Sequence, residues 1–331
     1  MLMKMMKAIT IADDLVEFLE NHSSYLARVH SVFRHSVNLL INKDELITLT
    51  NQSEITPMGL TVDSIESFTK YLQPGDDLIL DVDQFRSADG CFFLQLRNAQ
   101  VWESTAMTNL ALRPVDQVDR INLQLSEWLG RQPALGLLPL LPRLTKQTAS
   151  NQSPEHNIYS RYIADDLEAF TNAIAADEWE LALKVTDRLV GFGMGSTPSC
   201  DDFLAAYLVV FRIAEKSNLG FFPWVSEFNE TIAKKAKKGT TLISANMLRH
   251  AGNGKVSRSH QRLVQTCLFN DISDTLLLAS QVLQHGATSG GDFLLGLVCA
   301  LAWYRNSILD YQKEGVNAWV VLKQSQLMPI L

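Results

Sequence analysis

The hydrophobic pattern of this chain changes its period part-way along, and that change restricts the possible folds more than any other feature. In the first third, apolar residues recur at every second position over short runs, such as Val37, Leu39 and Ile41 or Leu78, Leu80 and Val82, which is typical of β-strands. The turn-forming pairs Pro74-Gly75 and Asp89-Gly90 separate such runs. Beyond Tyr159, apolar residues recur every three or four positions, as on one face of a helix; an example is the set Ile163, Leu167, Phe170 and Ile174. The sequence therefore predicts an α+β protein, with a β-rich N-terminal domain followed by an all-α helical C-terminal domain.

A polar segment marks the predicted boundary between these domains. Residues 145–157 contain no apolar side chain larger than that of alanine, a composition typical of a linker. We predict a β-rich domain over 1–144, a linker over 145–158 and a helical domain over 159–331. Within the first domain, one short helix is expected around 65–72 and another after Pro114. The length of 331 residues, 47% of them apolar, agrees with two hydrophobic cores.

Composition excludes several classes of protein. The net charge of −7 argues against a dedicated nucleic-acid-binding protein. The longest apolar runs, 203–211 and 293–304, are shorter than the roughly 20 residues that cross a bilayer, so no membrane association is expected. The N-terminus lacks the pattern of a signal peptide, and the four cysteines are widely spaced, as in a protein with reduced thiols. We therefore expect a cytoplasmic protein.

The charge is unevenly distributed along the chain. Residues 231–270 contain no Asp or Glu but eight Lys and Arg residues, so this segment carries +8 and leaves −15 on the remainder. A basic segment in an acidic chain is a candidate binding surface for an anion or a partner.

The densest motif is the glycine-rich segment 191–203, with the sequence GFGMGSTPSCDDF. Its glycine spacing and the helical pattern before it exclude a Rossmann site, and the absence of a following Gly-Lys-Ser/Thr excludes a P-loop. The segment leads into an apolar helix, where free N–H groups favour phosphate or carboxylate. Asp201 and Asp202 would repel that anion unless a cation such as Mg²⁺ bridges them. The competing interpretation is purely structural, with Ser199 and Asp202 as a capping box.

A related motif follows ninety residues later, where Ser289-Gly-Gly-Asp292 aligns with Ser199-Cys-Asp-Asp202. Both motifs begin apolar helices. We consider the hypothesis that the two helix starts face one another across a shared cleft. Capping chemistry alone would produce the same recurrence independently.

The basic segment contains a third motif. Gly239 and Thr240 are expected to end one helix and cap the next, and the preceding lysines then complement the helix dipole. On the new helix, Thr241, Ser244 and Arg249 lie near one face by three- and four-residue steps. Arg249 has the geometry to hold an oxyanion by two parallel hydrogen bonds.

Other catalytic signatures are missing from the sequence. It contains no H-E-x-x-H, no G-x-S-x-G and no cysteine and histidine cluster with metal-ligand spacing. His250, His260 and His285 lie near the polar loops and are the histidines to consider for acid–base chemistry, with solvated or packing roles as the alternative. Cys200 has no evident base partner, and we interpret it as a packing residue.

At these motifs the chain resembles the AllH-like family, catalogued as a domain of unknown function. The resemblance rests on the segments 193–203, 240–251 and 288–292, and the N-terminal segments Ile55–Gly59 and Gln100–Trp102 are similar to the family as well. It implies a subunit of oxamate carbamoyltransferase in anaerobic purine (allantoin) degradation, working with an FdrA-like partner and a third subunit. The reaction exchanges a carbamoyl group between oxalurate and phosphate, giving oxamate and carbamoyl phosphate.

Combined with this resemblance, the motifs suggest roles for individual residues. The glycine loop would bind phosphate or the carbamoyl group, the aspartates would hold a divalent cation or orient amide nitrogens, and Arg249 would take a carboxylate. The candidate catalytic residues are Asp201, Asp202, Asp292 and Arg249, with Asp201 and Asp202 as candidate Mg²⁺ ligands. The candidate substrate-binding residues are Gly193, Gly195, Ser196, Thr197, Ser199, Thr240, Thr241, Ser244, Thr288, Ser289 and Gly290. The alternative is a non-catalytic assembly or regulatory subunit, in which these loops and the basic segment dock partner chains.

Overall fold

A computed structural model describes residues 5–63, 65–104, 111–146, 157–217, 222–269 and 273–325. It confirms the predicted fold class, since a β-rich N-terminal region is followed by an all-helical C-terminal region. The strands are β1 (Met5–Ala12), β2 (Tyr25–Val32), β3 (Ser36–Ile41), β4 (Glu45–Thr50), β5 (Gly59–Asp63), β6 (Asp77–Asp81), β7 (Gln84–Ser87), β8 (Phe93–Gln95) and β9 (Gln100–Trp102).

The N-terminal strands close into a barrel. They follow the order β5-β4-β3-β2-β6-β7-β8-β1, and a pairing between β5 and β1 joins the two ends. Alternate residues of β1 and β2 are buried, as expected when one face of each strand lines a closed interior. Strands β8 and β9 both pair in parallel with β1, at Met5–Lys7 and at Thr10–Ala12 respectively, so β9 continues the path of β8 after a short interruption.

The helical elements begin with α1 (Asp13–Glu20), which packs on the barrel. The helix predicted around 65–72 is wrong in extent, because only the single 3₁₀ turn Phe68–Lys70 forms there. The remaining helices are α2 (Val115–Leu129), α3 (Leu141–Leu144), α4 (Ile158–Ala175), α5 (Trp179–Leu189), α6 (Ser199–Ser217), α7 (Val225–Gly239), α8 (Leu242–Gly252), α9 (Arg258–Leu268), α10 (Thr275–Leu283) and α11 (Ser289–Ser325).

Helices α6 and α11 form the centre of the helical region. Every residue of α6 from Ser199 to Phe211 is buried, so this helix is covered on all sides. Gly296 of α11 lies so close to α6 that a Cβ there would be 2.3 Å from the carbonyl oxygen of Phe203. The window Ser289–Asp310 of α11 is long and apolar enough to cross a membrane, but 72% of it is buried inside the protein, as in a core helix.

Two hydrophobic clusters divide the described chain. One fills the barrel and includes α1, and the other joins the helices. Helices α2 and α3, which the predicted boundary assigns to the first domain, pack in the helical cluster through residues such as Val118 and Leu141. Most of the predicted linker, residues 147–156, lies outside the described residues, and the boundary itself stays a prediction.

Candidate functional site

A pocket of about 360 Å³ lies where the barrel meets the helical region. The barrel contributes one wall, and the glycine loop with helices α6, α8, α9 and α11 contributes the rest. The polar residues that line the pocket are Asn38, Thr48, Thr56, Ser196, Thr197, Asp202, Asn246, His250, Lys255, Ser257, His260, His285 and Ser289. This volume is within the range of small-molecule sites.

The glycine loop joins α5 to α6 and needs its glycines for two reasons. Gly191, Gly193 and Gly195 all have positive φ angles, of +81°, +129° and +92°, which residues with a Cβ adopt at a cost. The first two glycines also meet other backbone atoms. A Cβ on Gly191 would be 2.0 Å from the carbonyl oxygen of Gly239, and one on Gly193 would be 2.3 Å from the nitrogen of Ser199. The loop is therefore packed tightly at its base, while Gly195 lies in open space.

Asp201 fixes the base of this loop to helix α8. Its carboxyl accepts hydrogen bonds from the Gly191 nitrogen at 2.8 Å, the Thr240 hydroxyl at 2.5 Å and the Ser244 hydroxyl at 2.6 Å. Burial raises the pKa of this carboxyl, while the three hydrogen bonds lower it. Because both carboxyl oxygens are engaged and the side chain is fully buried, Asp201 acts as a structural tie beside the pocket and is not among the residues that line it.

Asp202 and Asp292 are held in a reciprocal arrangement by the two helix starts. The hydroxyl of Ser289, on α11, lies beside the Asp202 carboxyl, and the hydroxyl of Ser199, on α6, lies beside that of Asp292. The hydroxyls of Thr197 and Ser289 are 3.0 Å apart. The two helix starts therefore do face each other, as the recurrent motif suggested, and each aspartate has the serine of the other helix as its neighbour.

The two aspartates differ in what they contact. Oδ1 of Asp292 accepts a hydrogen bond of 2.6 Å from the Leu137 nitrogen, and burial raises the pKa of Asp292 to about 6. Asp202 lines the pocket. Burial raises its pKa well above the ordinary value, with Asp292 adding to the rise, while Ser289 and Thr197 lower it. In both residues Oδ2 has no hydrogen-bond partner among the described residues. The raised pKa favours the protonated form of Asp202, and protonation would remove the repulsion of an anion that the sequence implied.

Loop carbonyl groups cap the first N–H groups of α6. The Cys200 nitrogen donates to the Phe192 carbonyl at 3.0 Å, and the nitrogens of Asp201 and Asp202 donate to that of Pro198 at 2.9 and 3.2 Å. These three backbone N–H groups are therefore already engaged. Hydrogen bonds to a ligand in the pocket would come from side chains of the glycine loop and of α11. Burial also raises the pKa of the Cys200 thiol well above its ordinary value, in agreement with a packing role.

The third motif serves mainly to build the site. Thr241 is the N-cap of α8, since its hydroxyl accepts from the Ser244 nitrogen at 3.1 Å, and it donates to the Ser196 carbonyl at 2.5 Å. Arg249 lies away from the pocket, where its guanidinium donates to Glu45 at 2.9 Å and to Asn246 at 3.0 Å. The structure thus brings the two helix-start motifs together at the pocket but does not bring Arg249 to them.

Helix α8 presents a different face to the pocket from the one expected. Ile243, Asn246, Met247 and His250 line it, and these positions recur at three- and four-residue steps. That periodicity was available in the sequence. Burial lowers the pKa of His250 to about 3, with help from the positive charges of Arg249 and Lys255, so this imidazole is neutral at physiological pH.

Ion pairs with acids outside the acid-free segment 231–270 balance much of its positive charge. Five of its eight cations pair with acids outside the segment, and three of these pairs cross to the barrel region. The crossing pairs are Lys237–Asp44 at 2.6 Å, Arg249–Glu45 at 2.9 Å and Lys255–Asp14 at 2.5 Å. The other two are Lys234–Glu230 and Lys235–Asp187. Much of the segment's charge therefore joins the two regions of the protein.

These features define a two-part architecture in which a closed β-barrel and a helical region enclose a polar pocket of small-molecule size. Two family models match the chain. One, described as "Oxamate carbamoyltransferase subunit AllH", matches residues 189–301, and the other, "AllH family N-terminal domain", matches residues 7–101. The chain belongs to the AllH family, which confirms the resemblance, and the family name supports a general role as a carbamoyltransferase subunit. No solved structure matches the chain.

Proposed function

We propose that this chain is the subunit of an oxamate carbamoyltransferase that binds the carbamoyl-bearing substrate, and that the pocket between barrel and helices is the binding site. The observation that carries the proposal is the pairing of the two helix starts at this pocket, with Asp202, Thr197 and Ser289 at their junction. The AllH match includes both helix starts.

The lining of the pocket is suited to an amide group attached to a single carboxylate. Its hydroxyl and amide side chains are neutral, and the half-buried His250 and His260 are neutral as well, since the pKa of each is lowered to about 3. Oxamate and oxalurate carry such an amide next to one carboxylate. Thr197 and Ser289 would donate to a carbonyl oxygen, and Lys255 would attract the carboxylate.

Asp202 has a chemical role in this proposal. In the reaction, a phosphate oxygen forms a bond to the carbamoyl carbon of oxalurate, the carbon–nitrogen bond breaks, and the leaving nitrogen of oxamate takes a proton. A protonated Asp202, favoured by its burial, would donate a hydrogen bond to the carbonyl oxygen as negative charge develops there, or supply that proton. Its Oδ2, which lacks a hydrogen-bond partner among the described residues, is available for this contact.

Because the AllH family is described as an enzyme subunit, the proposed enzyme needs partner chains. An FdrA-like chain and a further subunit complete it in this proposal. One observation favours a second candidate function, a subunit whose pocket is incomplete alone. Lys255 is the only Lys or Arg among the described residues that line the pocket, and it is already paired with Asp14. Phosphate or carbamoyl phosphate would then need a cation from a partner chain. This also keeps open the role of an assembly or regulatory subunit.

The test is a thermal-shift panel on the purified chain with oxamate, oxalurate, carbamoyl phosphate, phosphate and ATP. A ligand at about 100 times its Kd stabilises the folded state by about 2.7 kcal/mol, or a few degrees in a protein of this size. We expect oxamate or oxalurate to raise the Tm of the wild type and not that of Asp202→Ala, because alanine removes the side-chain donor that asparagine would keep. The control Asp165→Ala removes an exposed carboxylate and should respond like the wild type.

Two results would argue against substrate binding by this chain alone. If Asp202→Ala keeps the full ligand response, the binding site is elsewhere. If no ligand shifts the Tm of the isolated chain but a shift occurs when the partner subunits are added, the second candidate function is the correct one.

A further inference from the structure

A second group of side chains lies at one end of the pocket and has no part in the proposed chemistry. Glu54 belongs to the barrel segment between β4 and β5, His260 to α9, and His285 to the turn before α11. One carboxylate oxygen and one ring nitrogen from each histidine all lie within 4.8 Å of one another. It is the one group of three His, Cys, Asp or Glu side chains with such spacing found in the part of the chain that the structure describes.

The three side chains are held in place by contacts of their own. The Ser259 nitrogen donates to Oε1 of Glu54 at 3.1 Å, and the Arg258 nitrogen donates to the neighbouring Ile55 carbonyl at 3.0 Å. Nδ1 of His260 is 2.7 Å from the Ser257 hydroxyl, and its ring packs edge-on against Phe293 with centroids 4.4 Å apart. Such outer contacts are what orient the ligands of protein metal sites.

The spacing also fits a shared ion. Nε2 of His285 and Oε2 of Glu54 are 3.5 Å apart. Two ligands that each lie about 2.0–2.1 Å from one metal at a tetrahedral angle are separated by about 3.4 Å. The two rings are close neighbours, with centroids 5.0 Å apart. A small movement of the His260 ring toward the other two side chains would bring all three ligand atoms to one metal ion.

We propose that Glu54, His260 and His285 bind a divalent transition-metal ion, with Zn²⁺ as the reference case, at the junction of barrel and helices. Two imidazoles and one carboxylate are ligands that Zn²⁺, Co²⁺ and similar ions prefer, whereas Mg²⁺ prefers oxygen ligands alone. Three protein ligands leave a coordination position open, as at catalytic zinc sites. Since both histidines line the pocket, that position faces a bound small molecule. This site is separate from the Asp201 and Asp202 pair suggested by the sequence.

The competing explanation is an ordinary contact between barrel and helices, in which His285 pairs with Glu54 and Ser259 supports both. That explanation needs only one histidine. The contacts of His260 with Ser257 and Phe293 do not require its ring nitrogen to lie within 4.8 Å of the Glu54 carboxylate and the His285 ring, as it does. The two explanations also make different predictions, because only a metal site predicts that the isolated protein binds Zn²⁺ tightly.

The experiment uses the full-length chain without an affinity tag, stripped with a chelator and titrated with Zn²⁺ against a chromophoric chelator. We expect one tight site per chain. Glu54→Gln and His285→Gln should each weaken binding by more than the roughly 10- to 100-fold that follows loss of an outer partner. The control is His30→Gln, on an exposed barrel histidine, which should bind as the wild type does. Far-UV circular dichroism checks that each variant is folded.

Co²⁺ gives a second readout, because ligation by the two histidines produces a visible absorption band that Glu54→Gln and His285→Gln should lose. An excess of Mg²⁺ should displace neither ion. The proposal is overturned if folded wild-type protein binds no Zn²⁺, or if both variants bind it as tightly as the wild type. Because no substrate is present, this result is independent of whether the pocket binds oxamate.

Discussion

The neighbouring residues Asp201 and Asp202 should lose very different amounts of stability on the same substitution to asparagine. Asp201→Asn replaces one carboxyl oxygen by an amide NH₂ group, which cannot accept hydrogen bonds from the hydroxyls of Thr240 and Ser244. Those two hydroxyls donate to Oδ2 at 2.5 and 2.6 Å, and a hydrogen bond to a charged group contributes about 1.5–3 kcal/mol. We take the lower value because burial of the carboxylate offsets part of the gain, which gives a loss of about 3 kcal/mol.

Asp202→Asn should cost less than about 1 kcal/mol, since its Oδ2 has no hydrogen-bond partner among the described residues and a neutral amide is buried more easily than a carboxylate. The assay is urea unfolding followed by circular dichroism, together with Tm. At about 2–4 °C per kcal/mol, Asp201→Asn should lower the Tm by roughly 6–12 °C. Equal losses for the two variants, or a stable Asp201→Asn, would refute the assignment of Asp201 as the structural tie and Asp202 as the pocket residue.

Three further predictions concern pH, packing and charge. The pKa of Asp292, raised to about 6, means that its stabilising contribution is complete below about pH 4 and is lost as the pH rises through 6. Asp292→Asn should therefore gain about 3 kcal/mol relative to wild type between pH 4 and 7 in urea unfolding; an unchanged difference would contradict this. Gly296→Ala should lower the free energy of unfolding by about 1–3 kcal/mol, because the new Cβ would clash with the backbone of α6. Gly291→Ala should cost less, because its Cβ would be 3.2 Å or more from leucine side chains. Arg249→Met removes part-buried hydrogen bonds to Glu45 and Asn246, so it should lower stability by about 1–3 kcal/mol and leave oxamate binding intact. Loss of oxamate binding would show that Arg249 belongs to the site.

The sequence was sufficient for the fold class and for several of the residues that line the candidate pocket. The change of hydrophobic period reflects which faces are buried, and the barrel and helices follow from it. The two Ser-x-x-Asp motifs were recognisable because each begins an apolar helix. Their reciprocal arrangement was not, since it depends on the packing of α6 against α11.

Predictions from the sequence failed where a residue contacts parts of the protein that lie far away along the chain. Arg249 was placed in the site and His250 only beside it, although the two are adjacent, because the rotation of α8 depends on what it packs against. Likewise, the acid-free segment suggested a ligand surface, and the acids that pair with it lie far away, at Asp14, Asp44 and Glu45. The barrel residues that line the pocket, such as Asn38 and Thr48, carry no local signal at all.

The most direct test of the central claim is a crystal structure of the chain with oxamate bound. We predict density for the amide next to the hydroxyls of Thr197 and Ser289, within hydrogen-bonding distance of Asp202. The basic groove on the other face of α8, lined by Lys234, Lys237 and Arg249, should be empty. Oxamate in that groove, with the pocket between barrel and helices unoccupied, would contradict the account.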